Sequence, residues 1–147
     1  MFTKEEAQQV RKEFWIAFAE KYPRKWLLHH TKIKDFAFKF FADSKKAQIL
    51  LDIEPRDPEK RTIYFEKIES LKTILLEEYL PEAIFEREYY LENGKLISRI
   101  WVQIDQVSIN NKKSWDTIFD FFNEQMSAFE LFFYEYEDYI KDLELNT

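Results

Sequence analysis

The sequence has no cysteine and a single glycine, Gly94, and these shortages exclude several classes of site. Without cysteine there is no disulfide, thiol nucleophile, iron–sulfur cluster or cysteine-ligated zinc. Phosphate-binding loops of the P-loop and Rossmann types need two or three glycines close together. The nucleophile turn Gly-x-Ser-x-Gly has the same requirement. All three motifs are therefore excluded.

Long apolar runs and an excess of positive charge are also missing. No run approaches the roughly 18 apolar residues of a membrane span, and the first residues lack the apolar stretch of a secretory signal. The formal net charge is −6, which disfavours nucleic-acid binding because that binding depends on Lys and Arg neutralising phosphates. We expect a cytoplasmic protein that uses neither a membrane nor a nucleic acid.

Aromatic side chains, by contrast, are abundant. Phe, Tyr and Trp make up 18% of the 147 residues and hydrophobic residues 46%, which is enough for a sizeable core built largely from rings. The length predicts a single domain, residues 1–147. We predict an α+β fold in the order helix, hairpin, helix, hairpin, helix, with both hairpins in one antiparallel sheet and a long C-terminal helix packed on it.

Capping signals place the first two helices. Thr3 and Glu6 form a capping box, in which the threonine hydroxyl accepts from the glutamate amide. Asp57 followed by Pro58 combines an N-cap side chain with proline at the first helical position. Each predicted helix ends where the next proline follows, since proline disfavours helical backbone in the residue before it.

Alternating apolar residues predict two antiparallel hairpins, over residues 33–43 with 47–54 and 84–92 with 95–107. A brief strand over the apolar run 26–28 is left open. Asn93-Gly94 is the strongest turn signal, and a two-residue loop would pair Phe85 with Val102 on the core face. It would also set Glu88 opposite Arg99 as an ion pair on the other face.

An aromatic stripe repeats at steps of four and three residues from Ser114 to about Leu143, which predicts one helix. Two interpretations of this stripe remain open. It packs on the sheet as the central core helix, or heptad spacing presents it to a partner or a second copy. The residues of such an interaction surface would be Phe119, Phe122, Phe129, Phe132, Phe133 and Tyr136.

Asp35, Asp52 and Glu54 are the acids to consider for catalysis. With a strand at 26–28, the N-terminal half resembles the start of the restriction-endonuclease-like nuclease core, whose acid and acid-x-Lys pair hold magnesium and activate water. Here Glu54 stands where that lysine would be, and Arg56 has the wrong spacing. Magnesium enters only under this alternative. Otherwise no cofactor is predicted, and the acids belong to a solvated strand face and turn.

Other polar features have ordinary interpretations. Arg87 is expected to reach out at the sheet edge, or else to anchor an acidic group. His29 and His30 are interpreted as loop residues. Five lysines lie along the first hairpin, and if they cluster they could contact phosphates, although charge runs are usually solvated faces. They are Lys32, Lys34, Lys39, Lys45 and Lys46.

Several segments together suggest a family. They are Phe2-Thr3-Lys4-Glu5-Glu6-Ala7, Phe36-Ala37-Phe38, Ala42-Asp43-x-Lys45-Lys46-Ala47 and the aromatic helix that starts at Trp115. On these residues, nearly the whole chain resembles a bacterial domain-of-unknown-function family, number 4268. The resemblance implies an intracellular bacterial protein of mixed helix and strand, with no catalytic residues to transfer.

These observations favour a non-enzymatic protein-interaction module with an unknown protein partner, or a homodimer formed through the last helix. The reasons are the lack of a phosphate loop, a credible nucleophile and a convincing metal cluster. The alternative is a restriction-endonuclease-like, metal-dependent nuclease, active or degenerate. A nuclease should bind manganese and lose it on Asp52→Asn, whereas an interaction module should expose an aromatic patch on the last helix.

Overall fold

The computed structural model describes residues 3–143 and confirms the predicted α+β fold, with a four-stranded antiparallel sheet and a long C-terminal helix. In chain order the elements are α1 (Lys4–Lys21), β1 (Phe36–Ala42), β2 (Lys46–Ile53), α2 (Pro58–Ser70), α3 (Lys72–Glu78), β3 (Ile84–Tyr90), β4 (Leu96–Asp105) and α4 (Lys112–Lys141). Residues 26–28 form a loop, not a strand. Within residues 3–143, no helix is both long and apolar enough to cross a membrane.

The predicted caps are present, and one predicted helix is divided. The Glu6 amide donates to the Thr3 hydroxyl over 3.1 Å and starts α1. The helix expected after Asp57 is broken at Leu71, which separates α2 from α3. There the Ser70 hydroxyl donates to the Lys67 carbonyl over 2.5 Å. Because that carbonyl would otherwise accept the Leu71 amide, the serine competes with the helix at this turn.

The sheet has the strand order β1-β2-β4-β3, so the two hairpins meet through β2 and β4. The pairing within the second hairpin differs from the prediction. Phe85 pairs with Ile100, two residues before its expected partner, and Arg99 faces Glu86 instead of Glu88. A bulge after Glu86 accounts for part of this shift. The rest arises in the turn.

The turn of the second hairpin is wider than the two-residue loop that Asn-Gly predicts. The Leu91 amide donates to the Lys95 carbonyl over 2.9 Å, and the Gly94 amide donates to the Leu91 carbonyl over 2.8 Å. The Asn93 side chain accepts from the Lys95 amide over 2.9 Å. Gly94 therefore ends a four-residue turn with φ +85°, a backbone conformation that favours glycine. Asn93-Gly94 therefore predicted the position of the turn correctly, but not the length of the turn.

The helices cover one face of the sheet, and α4 contacts β1 and the central strand β2. The Phe129 and Phe38 ring centroids are 5.0 Å apart, and those of Phe122 and Phe40 are 4.8 Å apart. Phe14 of α1 is completely buried against α4. The aromatic stripe therefore belongs to the hydrophobic core where α4 faces the sheet, as the first of the two interpretations predicts.

A buried lysine secures the end of α4. Lys67 of α2 is 1% exposed. Its ammonium donates to the Tyr139 carbonyl over 2.6 Å and to the Asp142 carbonyl, and it lies 4.7 Å from the centre of the Tyr139 ring. Carbonyls in the last turn of a helix have no partner within the helix. Lys67 supplies one and joins α4 to α2.

We expect Lys67→Met to lower the free energy of unfolding by about 1–3 kcal/mol, because it removes the donor of two partly buried hydrogen bonds at the end of α4. Urea unfolding followed by circular dichroism measures the change. The matched control is Lys60→Met in the same helix, where the lysine is exposed, with an expected change below about 0.5 kcal/mol. Equal effects of the two substitutions would contradict the role of Lys67.

Candidate functional site

The second face of the sheet carries a different set of residues, and we call it the open face. It comprises Ala37, Lys39 and Phe41 of β1, Gln48, Leu50 and Asp52 of β2, Ile84, Glu86 and Tyr89 of β3, and Ile97, Arg99, Trp101 and Gln103 of β4. Among residues 3–143, the hydrogen bonds, ion pairs and ring contacts of these side chains involve strands and their connecting loops, and none involves a helix.

A buried carboxylate lies at the centre of the open face. Asp52 is 1% exposed. Arg99, its neighbour on β4, donates from Nε to Oδ1 over 2.6 Å and from Nη2 to Oδ2 over 3.0 Å. Lys39 on β1 donates to the same Oδ2 over 3.0 Å. Both oxygens of Asp52 are therefore occupied by cations, as a buried carboxylate requires.

Glu54 extends this network at the end of β2. Lys39 bonds it over 2.9 Å and Lys95 over 3.3 Å. Partial burial by itself lowers the pKa of Lys39, but its hydrogen bond to Glu54 and the charge of Asp52 outweigh burial and raise it. Burial by itself likewise lowers the pKa of Arg99. The hydrogen bond to Asp52 and the charge of that carboxylate outweigh burial, so the pKa is raised. Both cations remain charged at neutral pH.

Aromatic side chains border the network on the β3 side. The Arg99 guanidinium lies 4.3 Å from the centre of the Tyr89 ring, a cation–π contact. Tyr89 in turn meets Trp101 edge to face at 5.7 Å. The planar groups of Arg99 and Tyr89 thus hold each other in place on the sheet surface.

Two exposed aromatic residues line a cavity beside this network. Phe41 is 37% exposed and Tyr90 is 65% exposed. The cavity has a volume of about 240 Å³. Its walls are Phe41, Lys46, Gln48, Leu50, Tyr89, Tyr90, Leu91, Glu92 and Arg99. Residues of β1 and of the β3–β4 turn line one space, so the end of the second hairpin lies over the open face.

A family model for a domain of unknown function, DUF4268, matches residues 10–137. The chain belongs to this family. The family description assigns no activity, so it transfers no catalytic residues to the open face. No curated protein and no solved structure gives a significant match to the chain.

The three candidate acids are only partly brought together. Asp52 and Glu54 share Lys39. Asp35 meets Glu54 through the backbone, where the Glu54 amide donates to the Asp35 carbonyl over 2.7 Å. The Asp35 side chain lines a different cavity beside Arg56. Across residues 3–143, no group of three or more histidine and acidic side chains is placed to hold a metal ion.

The side chains considered for a partner surface on α4 lie inside the chain instead. Five of the six are 3% exposed or less, and Tyr136 is half-buried at a kink in the helix. The five are Phe119, Phe122, Phe129, Phe132 and Phe133. They pack on the sheet and on α1 and α3. In this chain, these five rings are therefore part of the hydrophobic core.

The other polar candidates lie in separate places. Arg87 reaches the edge of the sheet, where it pairs with Glu66 and Glu69 of α2 at 2.9 and 3.1 Å. His29 and His30 stack on each other in the loop before β1. The five lysines are divided as well. Lys39 and Lys46 belong to the open face or its cavity, while Lys34 lines the cavity that contains Asp35.

Sequence reasoning did not find the residues that make the open face distinctive. Arg99 was expected to pair with Glu88 within the second hairpin, but its partner is Asp52 of the first. Phe41 and Tyr90 belong to no sequence motif that predicts a binding site. Their only signal was the alternation of the strands, which puts Phe41 on the face opposite Phe40. Recognising the site required the pairing of β2 with β4.

Proposed function

We propose that this domain is a non-enzymatic protein-interaction module and that the open face is its binding surface. One observation carries the proposal: two exposed aromatic residues, Phe41 of the open face and Tyr90 at the end of β3, line the same cavity. Aromatic residues and arginine are enriched at the centres of protein interfaces. A partner that covers an exposed aromatic ring beside a cavity removes the apolar surface of that ring from water, which favours binding.

The size of the cavity favours a protein partner. Its volume of about 240 Å³ is below the ~300–1,000 Å³ of most small-molecule sites. It suits a single side chain inserted by another protein. Leu50, which is 4% exposed, forms part of its wall. We therefore infer a partner segment that presents one large apolar side chain to the cavity that Phe41 and Tyr90 line.

The charges of the open face support binding more than catalysis. A general base must lie within hydrogen-bond reach of a substrate proton, where cations already bound to it compete with the substrate. Both Asp52 oxygens already accept from Arg99 or Lys39, and both Glu54 oxygens accept from lysines. These acids hold Lys39, Lys95 and Arg99 in fixed positions, so the network forms an ordered part of the binding surface.

Affinity capture with matched variants tests the proposal. The wild-type chain, Tyr90→Ser and Tyr134→Ser would each be used to capture proteins from the source cell, with quantitative mass spectrometry. Tyr134 lies on α4 and is 54% exposed, so it matches Tyr90 in residue type and accessibility. We expect wild type and Tyr134→Ser to retain the same partner. Tyr90→Ser should recover about tenfold less, an interface loss of ~1.4 kcal/mol.

Two results would contradict the proposal. Equal recovery by wild type and Tyr90→Ser would show that the open face is not the binding surface. Co-purification of nucleic acid without a protein partner would contradict the interaction module itself and favour the nuclease alternative. Circular dichroism of each variant confirms that the chain remains folded.

A further inference from the structure

A second and larger cavity lies outside the open face. Its volume is about 510 Å³, within the ~300–1,000 Å³ typical of sites for small molecules. It is formed by the loop before β1 and by the connection from β2 to α2. Its walls are Lys34, Asp35, Pro55, Arg56, Asp57, Lys60 and Tyr64.

Internal hydrogen bonds fix the loop that forms one wall. Thr31 is 1% exposed; its hydroxyl donates to the Phe36 carbonyl over 2.8 Å and accepts from the Ile33 amide over 3.2 Å. On the other side of Lys34, the Asp35 carbonyl accepts from the Glu54 amide over 2.7 Å. Lys34 is therefore held between two anchored points. A binding site whose backbone is already ordered loses less entropy when its ligand binds.

Three cations line the cavity without ion-pair partners. In the part of the chain that the structure describes, no carboxylate lies within 4.0 Å of the charged nitrogens of Lys34, Arg56 or Lys60. Two carboxylates nevertheless line the same space. Asp57 is occupied at the start of α2, where it accepts from the Glu59 amide over 2.9 Å. Lys34, Arg56 and Lys60 can therefore bind an anionic group of a ligand.

We propose that this cavity binds a phosphorylated small molecule, with Lys34, Arg56 and Lys60 around its phosphate. The three cations of this cavity outnumber its two carboxylates and suit a dianionic phosphate, for which arginine offers paired donors. Phosphate alone would fill only part of about 510 Å³. Asp35 faces the remaining space, where it would accept from a hydroxyl or amine of the same ligand.

Tyr64 completes the polar wall of the cavity. Partial burial raises the pKa of its hydroxyl, which therefore stays protonated at neutral pH and remains a hydrogen-bond donor. The start of α2 is not the basis of the proposal, since Asp57 already satisfies that helix end. The site depends on side-chain cations, which can be removed one at a time without disturbing buried contacts.

Binding of ribose 5-phosphate tests the proposal, with ribose and inorganic sulfate as comparison ligands. Backbone amide shifts would be followed by NMR in about 0.15 M salt, where loose surface attraction is screened. We expect ribose 5-phosphate to shift amides around Lys34 and Arg56 and to bind more tightly than sulfate, while ribose has no effect. The variant Arg56→Gln/Lys60→Gln should weaken binding about tenfold or more, a loss of ~1.4 kcal/mol.

The matched control is Arg11→Gln/Lys12→Gln, which removes the same charges from exposed positions of α1. It should leave binding unchanged. Three results would overturn the proposal: equal weakening by both double variants, shifts scattered over the surface, or equal affinity for sulfate and ribose 5-phosphate. Each would show attraction to charge in general instead of a built site. None of these results depends on the open face, so the proposed function is tested separately.

Discussion

Phe129→Ala is expected to lower the free energy of unfolding by about 3–5 kcal/mol. Phe129 is completely buried where α4 crosses the sheet, and its ring meets Phe38 edge to face at 5.0 Å. Truncation leaves a cavity that neighbouring rings of the packed core cannot fill without leaving their own contacts. Urea unfolding, followed by fluorescence and circular dichroism, measures the loss.

The matched control is Leu131→Ala, two residues along the same helix. Leu131 is 62% exposed, so its truncation should change the free energy of unfolding by less than about 0.5 kcal/mol. Size-exclusion chromatography with light scattering would be run on both variants. If Phe129→Ala left stability unchanged but dissociated an oligomer, the aromatic stripe would be an interface and the core assignment would be contradicted.

We expect Asp52→Asn to have an effect of similar size, a loss of about 3–5 kcal/mol. The substitution keeps the shape of the side chain but removes its charge. Arg99, whose side chain is 11% exposed, then loses the carboxylate to which its guanidinium donates two hydrogen bonds. Asp105→Asn is the control, since Asp105 is exposed at the end of β4 and should contribute less than about 0.5 kcal/mol.

A double variant separates loss of the ion pair from loss of packing. Replacing both partners, Asp52→Leu with Arg99→Met, removes the unpaired charge and should recover part of the stability that Asp52→Asn loses. The same proteins can be titrated with manganese. If Asp52→Asn kept wild-type stability and abolished manganese binding, Asp52 would be a metal ligand, and the ion-pair account would be contradicted.

Local signals in the sequence were enough for much of the fold. The cap at Thr3, the Asp57-Pro58 start of α2 and the Asn93-Gly94 turn depend on nearby backbone groups, so their chemistry is visible in a few residues. The alternation of β1 similarly placed Phe36, Phe38 and Phe40 on the core face and Phe41 on the other. The structure confirms the element types and the order along the chain that these signals predicted.

Features that depend on distant contacts could not be predicted in this way. The pairing of Asp52 with Arg99 joins the two hairpins and requires β2 beside β4. The aromatic stripe of α4 was ambiguous because a core and an interface call for the same residues. Only the position of Phe129 against the sheet decides between them. The break at Leu71 coincides with a side-chain hydrogen bond from Ser70, which spacing does not reveal.

The most direct test of the open face as the binding surface is site-specific photo-crosslinking in the source cell. The photoreactive residue p-benzoylphenylalanine would replace Phe41, Tyr90 or Tyr134, one at a time. We predict that positions 41 and 90 crosslink to the same partner protein, while position 134 on α4 does not. Crosslinks from position 134, with none from positions 41 and 90, would contradict the account and move the binding surface to the helical side.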